Sequence, residues 1–342
     1  MSRVFSLPAL VSPRLICALL AAAIIFAVPA RAEDAILNAS FDVSRELFDA
    51  INPAFKNYWK QKSGKDVTIN QSHAGSSKQA QAILQGLKAD VVTFNQVTDV
   101  QVLNAQGKLV ADGWQGRFPN KASPYYSTTA FLVRKGNPKH IKNWDDLVRS
   151  DIKLVFPNPK TSGNGRYTYL AAWLYAQRKF NKDGTKVKEF EKQFLHNVAV
   201  FDTGGRAATV SFAERNIGDV LISFESEVKG IGKEYGADKY EVIVPPVSVL
   251  AEFPVAVVDK VVDEHKTREV ATEYLDFLYT PAAQDIIAAN NYRVFDATAS
   301  KKYAANFPQV ELLNIEKLLG SWADIQKAHF DNGAIFDQLV AR

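Results

Sequence analysis

The chain has 342 residues, with 41 Lys and Arg against 37 Asp and Glu and a formal net charge of +4. Arg3, Arg14 and Arg31 lie in a leader without acids, so beyond it 38 bases face 37 acids, and nothing argues for nucleic acid or an anionic membrane surface as partner. Cys17 and Met1, the single cysteine and single methionine, lie in the same leader, which excludes disulfides and thiol chemistry from the rest.

The leader reads as a secretory signal peptide over residues 1–32. Early arginines precede an apolar run at 15–28, and Ala30, Arg31 and Ala32 form an A-x-A cleavage signal. The run is short for a membrane span, and the mature protein is expected in the periplasm. A mature chain free of sulfur amino acids fits economy under sulfur scarcity or chance composition. About 310 residues then remain, more than one core usually serves, so two lobes are expected.

Apolar strand patterns alternate with helical ones, which gives an α/β fold with mainly parallel sheets. Residues 36–41 read as the first strand. Asp42 and Ser44 start a helix over 45–50, with Pro53 expected to interrupt or kink it. A second strand at 67–71 leads to an elbow where Ser76 and Gln79 have capping-box spacing, and Ala80, Ile83, Leu84 and Leu87 form the buried helix face. Residues 90–94 are the third strand, and 119–127 a loop. Strand 128–134 and a short helix at 143–148 follow.

Residues 152–173 contain the clearest strand, elbow and helix. Apolar positions at Tyr167, Leu170, Ala171 and Leu174 give one helix face, and Gly163 and Gly165 let a ligand approach the main chain. Ser162 adds a hydroxyl beside the free N–H groups of the first turn, which is either an anion site or an ordinary N-capped helix. Another glycine elbow, at Gly204 and Gly205, follows strand 197–201. Strand 219–225 delivers Phe224 at its carboxyl end, residues 252–259 form one more strand, and helices at 267–279, 281–289 and 322–330 close the chain.

Ligands of open α/β sheets sit beyond the carboxyl ends of strands, where Asp42, Ser76, Ser162, Gly205 and Phe224 all fall. Two lobes offering such elbows to a shared cleft would clamp a small anion. The lobes are expected as 33–122, 123–248 and 249–342, the last returning to the first lobe and ending in C-terminal helices. Crossovers are expected near 122–128 and 245–252.

At residues 40–47 (SFDVSREL), 71–79 (QSHAGSSKQ), 131–138 (FLVRKGNP), 157–164 (PNPKTSGN), 201–206 (FDTGGR) and 218–225 (GDVLISFE), the sequence resembles the bacterial periplasmic thiosulfate- and sulfate-binding proteins. These are the soluble receptors of an ATP-driven importer. The resemblance implies a two-lobed type II periplasmic binding-protein fold with a cleft between lobes, no cofactor, no metal and no catalysis. It also implies a monomer that delivers its anion to a membrane permease. The implied donors are the main-chain N–H groups of Asp42, Ser76, Gly163, Asn164 and Gly205, with the Ser162 hydroxyl. Sulfate-specific members have tryptophan where Phe224 stands and commonly glycine where Asn164 stands. Phenylalanine cannot donate a hydrogen bond, which suits a ligand presenting sulfur in place of one oxygen, so thiosulfate is expected first and sulfate second. A sulfate-specific receptor, or one for another tetrahedral oxyanion, is the alternative.

Arg166 and Arg206, just inside two helix starts, read either as charge behind the site or as solvated surface arginines. An enzyme reading has little to stand on. Ser162 is not in a G-x-S-x-G elbow, Gly163 to Gly165 does not open a P-loop, and the five histidines lack metal-ligand spacing. His73 reads as a brace for its loop or as a base. An adhesive exported domain with the same elbows would show no ligand-induced closure.

Overall fold

A computed structural model describes residues 34–236 and 238–341. The expected signal peptide lies outside the described residues. Two sheets carry the architecture. The four-stranded one has the order Val255–Val257, Val91–Thr93, Asp34–Phe41, Val67–Ala74. Its last three strands are parallel, with Asp34 opposite Val67 and Phe41 opposite Ala74, while Val255–Val257 runs antiparallel at the edge. The five-stranded sheet has the order Val198–Asp202, Leu154–Pro157, Val220–Phe224, Thr129–Arg134, Tyr240–Ile243. Its first three strands are parallel, and Thr129–Arg134 is antiparallel to both neighbours. Each sheet is thus mixed, because an antiparallel strand brings the chain into or out of it.

Between these sheets in sequence, Tyr125–Ser127 pairs antiparallel with Ala251–Glu252 and with Arg293–Val294. The region expected as a loop therefore holds this strand and a short helical turn, Pro119–Ala122. The single strand expected at 252–259 is broken at Phe253 and Pro254. Proline has no N–H to give a ladder, and the Pro254 carbonyl instead accepts from the Phe94 N–H at 2.9 Å.

The first helix runs from Arg45 to Ser63, straight through Pro53, contrary to the expected interruption. Losing one N–H is outweighed by what the continuation past Pro53 buries: Phe55 and Trp59 extend the face begun by Leu47, Phe48 and Ile51. Each such side chain stabilises by about 1.5–3 kcal/mol when buried. Phe55 meets Tyr274 edge to face at 5.0 Å.

The helix Gly163–Lys179 also departs from the one-faced pattern. Every residue from Gly163 to Ala176 is buried. Its outer side is covered by the chain's last residues, where Trp322–Ile325 passes into a wider turn, Gln326–Phe330, and then into Ile335–Val340. The Tyr169 hydroxyl lies 3.0 Å from His329 Nδ1, and the Tyr169 ring packs on Phe330 and Phe336. Lys160 Nζ donates to the Phe330 carbonyl and to Asp337, both at 2.8 Å. These contacts fasten the C-terminal segment beside the elbow that starts this helix.

Candidate functional site

In each sheet the parallel strands end in polar turns at their carboxyl ends. On the four-stranded side the turns are Asp42, Gly75–Ser76 and Asn95–Gln96. On the five-stranded side they are Ser162–Gly163, Gly204–Gly205 and Phe224. The two sets touch. A β-carbon on Gly163 would stand 2.5 Å from Asn95 Oδ1 and 2.8 Å from Gln96 Cβ, and one on Gly204 would stand 3.0 Å from Asp42 Oδ2. Only glycine permits so close an approach at these points. Gly165 has a local reason: its missing side chain leaves room for the Pro157 carbonyl and the Asn158 backbone.

Ser76 is the first helical residue of Ser76–Leu84 and does not cap it, so the expected capping box does not form. Its hydroxyl donates to Asn95 Oδ1 at 2.8 Å and accepts from the Asn95 N–H at 3.0 Å. Gln79 instead donates to the Ser40 and Ser72 carbonyls. Ser162 is the N-cap of its helix in extended conformation, is buried, and leaves the helix's N–H groups uncapped by its side chain. Helices Ser76–Leu84, Gly163–Lys179 and Gly205–Ala213 therefore all begin at this seam without a side-chain cap. Free N–H groups and the positive ends of helix dipoles favour an anion there.

Glu227 ties the five-stranded side together. Its carboxyl accepts from Thr209 Oγ1 at 3.1 Å, from Asn164 Nδ2 at 3.2 Å and from the Ser223 hydroxyl. Asn164 Nδ2 also donates to Ser223 Oγ at 2.6 Å. A β-carbon on Gly205 would stand 2.9 Å from Glu227 Oε2. One side chain thus fixes Asn164, Gly205 and the residue before Phe224. Burial pushes the Glu227 carboxyl up to about 7, opposed by its bonds to Ser223 and Thr209 and reinforced by the nearby Asp42. Burial also raises Asp42, partly offset by the N–H groups of Arg206, Asp42 and Val43.

Phe224 is fully buried, edge to face with Phe253 at 5.0 Å and Tyr167 at 5.8 Å. Arg166 is not a solvated surface arginine. It is 8% exposed, donates to the Pro159 carbonyl at 3.1 Å and to Thr98 at 3.2 Å, and lies 3.6 Å from Asp99. Arg206 is exposed and spans Glu46 and Glu234. His73 lies 2.5 Å from Ser40 Oγ through Nδ1, which braces the end of its strand. Among the described residues no group of three or more His, Cys, Asp or Glu could hold a metal ion, and no helix is long and apolar enough to cross a membrane. A cavity of about 440 Å³ opens behind Gly205, lined by Glu46, Arg206, Thr209, Glu227 and Tyr292 among others. Its wall carries the carboxyls of Glu46, Glu227 and Glu234, and it adjoins the seam through Glu227.

Sequence reasoning missed Asn95, Gln96, Thr209 and Glu227. A polar Asn-Gln pair ending the apolar run 90–94, and an acid three residues after Phe224, were the available signals.

The model of the bacterial extracellular solute-binding proteins matches residues 41–293. The chain is 59% identical over 307 residues to the thiosulfate-binding protein of Escherichia coli K12, covering 90% of this chain and 91% of that one. It is 47% identical to the sulfate-binding protein of Salmonella typhimurium, covering 90% and 93%. Among solved structures, the sulfate-binding protein SubI from Mycobacterium tuberculosis H37Rv superposes with a TM-score of 0.78 at 30% identity, covering 87% of this chain and 100% of that one.

Proposed function

Because the chain belongs to the bacterial extracellular solute-binding proteins and has their two-lobed type II fold, we propose that it is a periplasmic receptor for thiosulfate. Sulfate is its second ligand, and the anion passes to the membrane permease of an ATP-driven importer. The protein acts as a monomer and catalyses nothing. Its lobes are residues 33–122 with the return from 249, and 123–248, and the C-terminal helices within 249–342 lie against the second lobe's helix Gly163–Lys179.

The observation that carries this reading is the meeting of three uncapped helix starts from two different sheets, with both nearby arginines engaged elsewhere. Arg166 is held by Pro159, Thr98 and Asp99, and Arg206 by Glu46 and Glu234. A dianion held at the seam would take the main-chain N–H groups of Asp42, Ser76, Gly163, Asn164 and Gly205, with the Ser162 hydroxyl. Such a set of donors discriminates against an anion that keeps a proton, whose O–H would stay unpaired at about 1–3 kcal/mol. Phe224 favours thiosulfate over sulfate because its ring gives no N–H to a fourth oxygen and offers an aromatic edge to sulfur.

A sulfate-specific receptor is the second reading, favoured by the 47% identity to the Salmonella sulfate-binding protein. Thermal unfolding with thiosulfate, sulfate, phosphate and molybdate separates the readings. An anion at 100 times its dissociation constant stabilises the folded state by about 2.7 kcal/mol. Thiosulfate should give the largest rise in Tm. A larger rise with sulfate would establish the second reading, and no rise with either would remove both.

A further inference from the structure

We propose that the side-chain amide of Gln96 contacts the bound anion, donating an N–H to one of its oxygens. The inference rests on the anion-receptor reading of the seam and adds a side-chain donor from the four-stranded side.

Gln96 stands at the N-cap of helix Val97–Ala105 with extended backbone, φ −149° and ψ 126°, yet its side chain does not cap that helix. It has no exposed surface, and neither Oε1 nor Nε2 has a hydrogen-bond partner. Native interiors pair nearly all buried polar atoms, and an amide idle at both ends calls for a specific partner. Its position says which. The Gln96 side chain leaves the main chain where the two sheets' elbows meet, 2.8 Å from where a Gly163 β-carbon would be.

Several neighbouring polar groups are already committed. Asn95 Oδ1 accepts from Ser76, Arg166 is held by Pro159 and Thr98, and Asn164 Nδ2 is shared by Ser223 and Glu227. Asn164 Oδ1 and Asp99 Oδ2 are also buried without partners, but neither forms a hydrogen bond with Gln96, whereas a group that enters the seam can reach it. A neutral amide N–H suits a dianion there, because it donates without adding a cation that would also attract singly charged competitors.

Calorimetry on the full mature protein tests this with thiosulfate and sulfate, comparing wild type with Gln96→Leu and Gln96→Met. A hydrogen bond to a charged ligand is expected to be worth about 10- to 100-fold in affinity. Both variants should bind each anion at least about tenfold more weakly. Their Tm without anion should stay level or rise, since an idle buried amide has been replaced by an apolar group. Gln96→Glu, which sets a carboxylate against the dianion, should bind more weakly still.

Affinities within twofold of wild type in both apolar variants would overturn the inference and leave the proposed function standing. So would failure of both to fold, because the amide would then serve the structure alone. Wild type that binds neither anion would overturn the proposed function, and this inference with it.

Discussion

Gly163→Ala should impair capture while leaving the fold intact. The added carbon would lie 2.5 Å from Asn95 Oδ1, 2.8 Å from Gln96 Cβ and 3.4 Å from Asn95 Cγ. The first two are well inside van der Waals contact, and the obstacle cannot simply swing aside. Asn95 is pinned by Ser76 through both its side chain and its N–H, at 2.8 and 3.0 Å. Forcing one methyl group into such a contact costs about 1–3 kcal/mol. The collision is with residues of the opposite sheet, so it applies only when the two halves have closed. Within its own helix, alanine is the better residue by about 1 kcal/mol. The affinity for thiosulfate should therefore fall by about 5- to 150-fold, while Tm without anion holds or rises. Calorimetry and thermal unfolding on the same samples read the two quantities. Affinity within twofold of wild type, or a Tm that falls without anion, would refute the argument.

Phe224→Trp should shift preference from thiosulfate toward sulfate. The indole N–H restores a donor worth about 1–3 kcal/mol, although the larger ring must fit against Phe253 and Tyr167; an unchanged ratio of the two affinities would assign Phe224 to packing alone. His329 is buried against Tyr169 and Trp173, and burial lowers it from 6.5 to about 4. The folded state thus refuses a proton that the unfolded chain takes up below 6.5, so this contribution is complete above that pH and lost as pH falls toward 4. The full difference is about 3 kcal/mol, and the stability gap between wild type and His329→Gln in urea titrations should narrow over that range. Glu227 has the opposite sign: raised from 4.5 to about 7, it favours the fold fully below 4.5 and loses that as pH rises to 7. Glu227→Gln should match wild type near pH 4.5 and exceed it at pH 8 by on the order of 3 kcal/mol; equal urea midpoints at pH 8 would count against it.

Most strands were legible because alternation of apolar runs with turn residues is a local property. The elbows at Ser76, Ser162 and Gly205 were legible because glycine and serine at a strand's end have few other uses. Errors arose where tertiary packing overrode local preference. Pro53 sits inside a helix because Phe55 and Trp59 beyond it gain more by continuing the buried face. The helix from Gly163 has no exposed face because residues 322–340, over 140 positions away in sequence, cover it. No periodicity within the helix could announce that cover. Asn95 and Gln96 escaped notice for the same reason. Their importance lies in facing Gly163 across the seam, a relation that neither strand pattern nor motif spacing encodes.

The seam also shows why the acids near it do not defeat an anion. An ionised carboxylate beside a dianion would be repelled strongly in so dry a place. Asp42 and Glu227 are the two carboxyls there, and burial raises both toward the neutral acid. Asp42 turns its carboxyl to the N–H groups of Val43 and Arg206 and to its own, so a ligand taking the Asp42 N–H would do so in place of that carboxyl. Glu227 spends its oxygens on Thr209, Asn164 and Ser223. Positive charge is kept one step back, in Arg166 behind its Pro159 carbonyl and Arg206 between two glutamates. On the proposed function, selectivity would come from the number and direction of neutral N–H groups, which a proton on the ligand would disturb at once. A cation in contact would hold any anion of similar size and give that discrimination away.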